Sequence, residues 1–385
     1  MKLLSIVAAV TLYSASAVAG DQGVTRYIVA NDDVGQQIPS SATFYRVAAG
    51  GALRQTATVS TRGDGIAGGF FGAKRIVVFG SGKAGCVYAS NAQNGNIVGI
   101  AVKSLKIESQ GKGSRTDTGA SNGVGLAMNA RYLYASFTDP NTIATFQVKA
   151  GCKIKFVGDI TVGGLQGGVI DGMAVRGNVL VATYGDGSIE SFNISGGVPV
   201  SNRDEQNSTG SGTGNTYPNG VDITQDGRFA IFGDTATSTV VEVSDISSGK
   251  LTPTVVYGLG KGISSSDILL SPDETLLFVS NTQGGTITAA FFDKSTGKLS
   301  RGCASRILRG YVTNWSYAAG LALEESRGTG GVLYVAEYGA PSSIGEIAVK
   351  SAHGKCALGE FSRSPVADAN SPGLLSIGAF PPRSF

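Results

Sequence analysis

Residues 122–148 read NGVGLAMNARYLYASFTDPNTIATFQV, and the same pattern returns as DGMAVRGNVLVATYGDGSIESFNI (171–194), NGVDITQDGRFAIFGDTATSTVVEV (219–243) and DILLSPDETLLFVSNTQGGTITAAFF (267–292). Each copy has a polar anchor, an apolar strand, a tight turn, and a second apolar strand that ends in small residues. A polar corner and a third, alternating strand follow. The anchors Asn122, Asp171, Asn219 and Asp267 lie 49, 48 and 48 residues apart, and the corners Asn91, Asp139, Asp186, Asp234 and Asn281 lie 48, 47, 48 and 47 apart. Two independent markers share one period. A unit of that length holding several strands cannot bury its apolar face alone, and it fits a propeller blade whose four-stranded meander stacks on the next.

Outward from this core, the chain carries 57 glycines and few helix-period stretches, with Thr, Val, Ile and Tyr in short alternating runs. That composition reads as all-β. Counting by the period places blades beginning near Asp64, Asn122, Asp171, Asn219, Asp267 and Tyr317. A seventh is split: TRYIVANDD (25–33) and ATFYRVAAGGALRQTATV (42–59) supply outer strands, and SPGLLSIGAF (371–380) is a strand without a blade of its own. Pairing them closes the ring and removes an exposed sheet edge. The expectation is one seven-bladed β-propeller domain over residues 20–385, with four-stranded blades and a blade closed by the two termini.

Residues 1–19 read as a secretory signal peptide, with Lys2, an apolar stretch from Leu3 to Val10, and Ala17-Val18-Ala19 before the expected cleavage point. A secreted, extracellular, monomeric protein is the expectation. The cysteines Cys86, Cys152, Cys303 and Cys356 then imply two disulfides. Pairing Cys86 with Cys152 and Cys303 with Cys356 is favoured among the three possibilities, because each bridge then joins neighbouring repeats. Asn193, Asn207 and Asn314 match the N-glycosylation acceptor pattern.

The formal net charge is only +3, and Lys and Arg form no cluster along the chain. Charge therefore points to neither nucleic acid nor a membrane surface. The single histidine, His353, excludes zinc sites built from several His and reads as an outer turn.

In an antiparallel meander the start of the first strand and the end of the second lie at one end, so anchors and corners should ring a common mouth. Asn122, Asp171, Asn219 and Asp267 would stand nearest the axis, with Asp139, Asp186, Asp234, Asn281 and Glu337 outside them. Such oxygen groups can move a proton, polarise a carbonyl or hold a divalent cation, which is the one cofactor the pattern allows. Equally, Asn and Asp before Gly are turn formers whose side chains bond the local backbone. Trp315, Tyr317, Tyr338 and Tyr184 fall near the same mouth and could stack on a sugar or an aromatic acid. Gly119-Ala120-Ser121-Asn122-Gly123 matches a nucleophile-elbow formula, but it leads into a strand and lacks a nearby His. Gly80-Ser81-Gly82-Lys83 lacks the hydroxyl residue and helix of a phosphate loop and reads as a hairpin turn.

The phrase LSPDETLLFVSNTQGGTITAAFFDKSTGKL (270–299) resembles the repeat of the seven-bladed lactonase-type propellers, the family of 6-phosphogluconolactonases and carboxy-cis,cis-muconate cyclases. With LYASF (133–137), YGDGSIESFNIS (184–195), AEYG (336–339) and the paired cysteines, the chain is most similar to secreted 3-carboxymuconate cyclase-like members. The resemblance implies action on a small lactone or carboxymuconate, with Asp171, Asp234, Asp267 and Glu337 as candidate acid, base or cation-holding groups. It also implies His, Arg and Glu around the channel. Here Asn122-Gly123 and Pro218-Asn219 stand where the family tends to carry His or Arg-His, Asp234 stands where it carries Glu, and Thr282 follows Asn281 where it carries Arg. A cationic clamp for a polyanionic substrate is missing from these positions; Arg62, Arg309 and Arg327 lie in loops. Two further readings follow: a non-catalytic propeller that binds an extracellular glycan or protein, and a calcium-dependent lactonase.

Overall fold

The computed structural model describes residues 26–32, 39–65, 74–81, 84–112, 121–208, 218–235, 238–260, 263–303, 306–309, 317–326, 330–338, 342–352, 354–367 and 374–380. Within them the chain forms seven antiparallel sheets, each built around a path of four strands. Blade 1 is Ile76–Phe79, Cys86–Asn91, Asn96–Ala101 and Lys106–Lys112, and blade 2 is Ser121–Met128, Tyr132–Asp139, Asn141–Lys149 and Lys153–Thr161. Blades 3 to 6 begin at Ile170, Pro218, Ile263 and Tyr317. Blade 7 closes the ring: Leu374–Phe380 is its innermost strand, followed outward by Tyr27–Asp32, Pro39–Val47 and Leu53–Asp64. The register Val29↔Gly378 and Val29↔Phe44 holds the two ends of the chain in one sheet. The first complete blade starts at Ile76 rather than near Asp64, which ends the outer strand of blade 7.

Burial explains why the strands read as continuously apolar rather than half polar. Each blade is covered on both faces, so side chains pointing either way must be apolar. In blade 2, Leu133, Ala135 and Phe137 pack toward blade 1, while Tyr134 between them packs toward blade 3. Seven buried clusters fill the seven gaps between neighbouring blades. The disulfides Cys86–Cys152 and Cys303–Cys356, with Cα separations of 5.4 and 4.9 Å, each join adjacent blades as expected. Among the described residues no helix is long and apolar enough to cross a membrane.

The innermost strands share a device that spacing does not reveal. In each of blades 2 to 6 two residues oppose one residue of the second strand, a β-bulge, as in Gly123↔Phe137 followed by Leu126↔Ala135 and Ser265↔Asn281 followed by Ile268↔Val279. The second bulge residue is Gly125, Gly172, Gly220, Asp267 and Gly320 in those blades. The neighbouring innermost strand comes so close there that a Cβ on Gly172 would strike the Asn219 carbonyl oxygen, and one on Gly220 that of Ser266. Backbone cannot yield as a side chain can. Gly220→Ala is therefore expected to destabilise the fold by about 1–3 kcal/mol, read as a lowered denaturant midpoint; an unchanged midpoint would show that the strands can separate freely at the axis.

Candidate active site

Bulge register decides which polar side chains reach the axis. By strand pairing, Asp171 and Asn219 are first bulge residues, whereas Asp267 is a second bulge residue and Asn122 lies before the bulge of its strand. The four anchors are thus not equivalent, because the bulge adds a residue to the chain without marking it. The same register aligns Asp234, Asn281 and Glu337 with Phe137 and Tyr184, so Asp139 and Asp186 lie two residues further along, at the strand end and in the hairpin turn respectively.

Most of the expected corner groups are bonded within their own blade or to the one before it. Asp186 accepts from the N–H groups of Gln166 (2.8 Å), Gly168 (3.0 Å) and Ser188 (3.0 Å) and from Ser188 Oγ (2.6 Å). Burial pushes its pKa up, but these bonds win and hold the carboxyl below its ordinary range. Asn281 is enclosed by Thr239, Thr286 and Thr288. Asp234 is fully buried and shares Ser208 Oγ with Glu242, at 3.2 and 2.6 Å. Burial first, and then the Glu242 carboxyl, push its pKa up. Glu337 accepts from Ser343 Oγ at 2.5 Å, and burial raises it to about 7 against that bond, with the Glu360 charge adding to the rise. Asp139 is exposed at the end of its strand. Asp32, which the spacing did not single out, occupies the equivalent place in blade 7 and accepts from Thr43 Oγ1 at 2.6 Å.

On the axis, Asp267 is buried and fastens blade 5 to blade 6: Oδ2 accepts the Leu321 N–H and Oδ1 the Ile268 N–H, both at 2.9 Å. Lys74 Nζ stands 3.9 Å from Oδ1. Burial raises the Asp267 pKa, opposed mainly by Lys74. Asn219 performs a similar tie, its Nδ2 donating to the Ser265 carbonyl at 3.3 Å while its own carbonyl accepts from Thr183 Oγ1 at 2.8 Å.

Lys74 and Arg75 precede the Ile76↔Ala89 pair and so hold the bulge positions of blade 1. Spacing missed them because the count entered this blade at Asp64; the signal was their place directly before the apolar strand. Arg75 is fully buried, its backbone N–H donating to Ser376 Oγ at 3.1 Å. Burial lowers its pKa to about 9, with Tyr338 nearby opposing the fall. Cations therefore do stand at the axis, though not at the aligned anchors. Of the three arginines expected in loops, Arg62 lies instead, exposed, in the outer strand of blade 7, because that strand runs on to Asp64; Arg309 is turned toward Glu360 at 3.8 Å, and Arg327 lies outside the described residues.

Asp171 differs from the other acids. It lies at the mouth, beside the turn that follows Tyr184, half-buried rather than sealed. No hydrogen bond reaches its carboxyl among the described residues. Burial first, and then the Asp186 charge, raise it to about 7. A carboxyl poised there can both accept and return a proton at neutral pH.

Below the bulges the axis holds a cavity of about 220 Å³, walled by apolar residues such as Leu126, Met173, Leu270, Leu321 and Ile377, with Lys74 and Asp222 among its polar lining. Among the described residues, no three His, Cys, Asp or Glu side chains converge to hold a metal ion. The Ser265 and Ser266 hydroxyls are buried near the axis without a hydrogen bond among the described residues. Tyr184 is buried between blades and donates to Glu190 at 2.8 Å, so it packs rather than faces a ligand. Trp315, Asn314, His353 and the side chains of Asn122 and Tyr317 lie outside the described residues, while Asn193 and Asn207 are exposed.

With this geometry in view, the family description "Lactonase, 7-bladed beta-propeller" matches residues 86–365. No curated protein matches by sequence. Among solved structures, the periplasmic gluconolactonase of Pseudomonas aeruginosa is similar at TM-score 0.68 and 15% identity, over 92% of this chain and 99% of that one. A candidate 6-phosphogluconolactonase of Bacteroides uniformis aligns at TM-score 0.69 and 14% identity, over 93% and 100%. A functionally unknown protein of Desulfotomaculum acetoxidans aligns at 0.65 and 15%, over 92% and 99%. At such identities the structural likeness speaks for the fold alone.

Proposed function

The chain belongs to the lactonase family of seven-bladed β-propellers, and from that premise we propose that it opens a small lactone at the mouth of its axis, with Asp171 as the proton-transferring group. The single observation behind this reading is that Asp171 alone among the four candidate acids combines a place at the mouth, partial exposure and a pKa raised to about 7. Asp234 and Asp267 tie neighbouring blades together, and Glu337 is bonded to Ser343 within its own blade.

In the proposed reaction, Asp171 takes a proton from a water molecule as its oxygen attacks the lactone carbonyl carbon. The tetrahedral adduct then collapses and the acyl–oxygen bond of the ring breaks. The proton held by Asp171 passes to the departing ring oxygen, giving a hydroxy acid and regenerating the carboxylate. Two disulfides support an oxidising compartment, and the leader-like first nineteen residues support export.

The test is turnover by purified protein of a panel of sugar lactones and carboxymuconate-derived lactones, followed by proton release. Release above the spontaneous rate for at least one lactone is expected. Spontaneous rates throughout would leave the family scaffold without this chemistry and favour a propeller that binds without turnover.

A further inference from the structure

The hairpins joining first to second and third to fourth strands emerge at the end of the ring opposite Asp171, and six basic residues scattered along the chain are gathered there. Arg46 and Arg54 flank the outer turn of blade 7, Lys103 and Lys106 that of blade 1, and Lys149 and Lys153 that of blade 2. All six are exposed, and none joins an ion pair among the described residues. The one exposed carboxylate beside these turns, among the described residues, is Glu108, which accepts from Ser104 Oγ at 3.4 Å.

The far side of the same end differs: on blade 4 Arg228 faces Asp245 at 3.6 Å, and on blade 5 Asp293 precedes Lys294 and pairs with Lys298 across the outer turn. Toward the mouth, the ends of blades 7 and 2 carry Asp64, with the exposed Arg62 beside it, and Asp139. In a chain with 31 basic and 28 acidic residues, these six cations are thus concentrated on one side of one end of the ring. The Cys86–Cys152 bridge holds the Lys149–Lys153 turn against blade 1, so two of the basic turns form one fixed surface.

We propose that this end of blades 7, 1 and 2 docks an acidic polysaccharide, a polymer carrying repeated carboxylate or sulfate groups. An unpaired, rigid cationic surface attracts a polyanion and gains from the counterions it releases. Insertion into a membrane would call for exposed bulky apolar side chains, and none of the exposed Val or Leu residues lies in these turns. Residues 47–54, 101–106 and 149–153 contain no aromatic ring on which a nucleic-acid base could stack. The disulfides point to a compartment where acidic glycans, not nucleic acids, are the polyanions encountered.

Binding of the intact protein to heparin and to polygalacturonate tests this, with phosphatidylserine vesicles as the competing surface. The variant Lys103→Gln/Lys149→Gln/Lys153→Gln is compared with Lys250→Gln/Lys294→Gln/Lys298→Gln, which removes the same charge from the other side. The first should weaken polysaccharide binding by roughly tenfold at physiological salt and flatten its salt dependence; the second should leave both unchanged. Equal losses in the two variants, binding to vesicles alone, or no binding of the unaltered protein at physiological salt would overturn the proposal. None of these residues lies at the mouth, so lactone turnover failing would not decide this result.

Discussion

Asp171→Asn is expected to lower kcat for lactone opening by about 10²–10⁴-fold, with no loss of melting temperature and a gain that is larger at pH 8 than at pH 5. The amide keeps the shape of the carboxyl but cannot take the water proton. The fold is not weakened because no hydrogen bond reaches the Asp171 carboxyl among the described residues, and removing a charge that burial and Asp186 disfavour stabilises the folded state once the carboxyl would ionise. Asp267→Asn makes the informative contrast. One carboxylate there serves the Ile268 and Leu321 N–H groups and lies beside Lys74, so its replacement should lower stability and turnover together. If Asp171→Asn retained kcat within a factor of two, the proton would have to move through another group.

The protein is also expected to be more stable at pH 5 than at pH 8, the reverse of a fold dominated by paired carboxylates. Asp171 and Glu337 each have a folded pKa raised to about 7 from ordinary values of 3.8 and 4.5. A group raised on folding contributes stability that is full below its unfolded value and is lost as pH rises through the folded one. The loss should therefore run from about pH 4 to about pH 7 and then level off. For Glu337 the effect is on the order of 3 kcal/mol, and Asp234, raised by burial and by Glu242, acts in the same direction.

Asp186 and Asp273, whose pKa values are lowered, oppose this only at more acid pH, where they protonate. Together the raised groups should shift Tm upward by about 5 °C or more between pH 8 and pH 5. Glu337→Gln, which retains an oxygen for Ser343 Oγ, should remove part of that shift. A Tm equal or higher at pH 8 would mean that these carboxyls ionise without cost in the folded protein.

Much of the fold was legible because stacking imposes its period on sequence. LYASF and LLFVS repeat as second strands since each must fill the gaps on both sides of its blade, and SPGLLSIGAF could belong only to a ring that needed closing. The cysteine pairing followed from the same neighbour relation.

The site was less legible. A bulge adds one residue without a compositional mark, so Asn122 and Asp267 looked equivalent to Asp171 while their strands place them elsewhere. Hairpins of different length carried Asp139 and Asp186 past the true corner, where Phe137 and Tyr184 stand. The basic end was invisible for the opposite reason: Lys106 and Lys153 are 47 residues apart along the chain and come together only when successive blades bring the same turn to the same end.

A carbon-13 NMR titration of the aspartate carboxyls, with Asp171→Asn to assign the signal, tests the account most directly. A midpoint near 7 for Asp171 is predicted, absent from the variant. A midpoint near 4 would show a permanently ionised, well-solvated carboxylate, and the proposed proton transfer at the mouth would lose its basis.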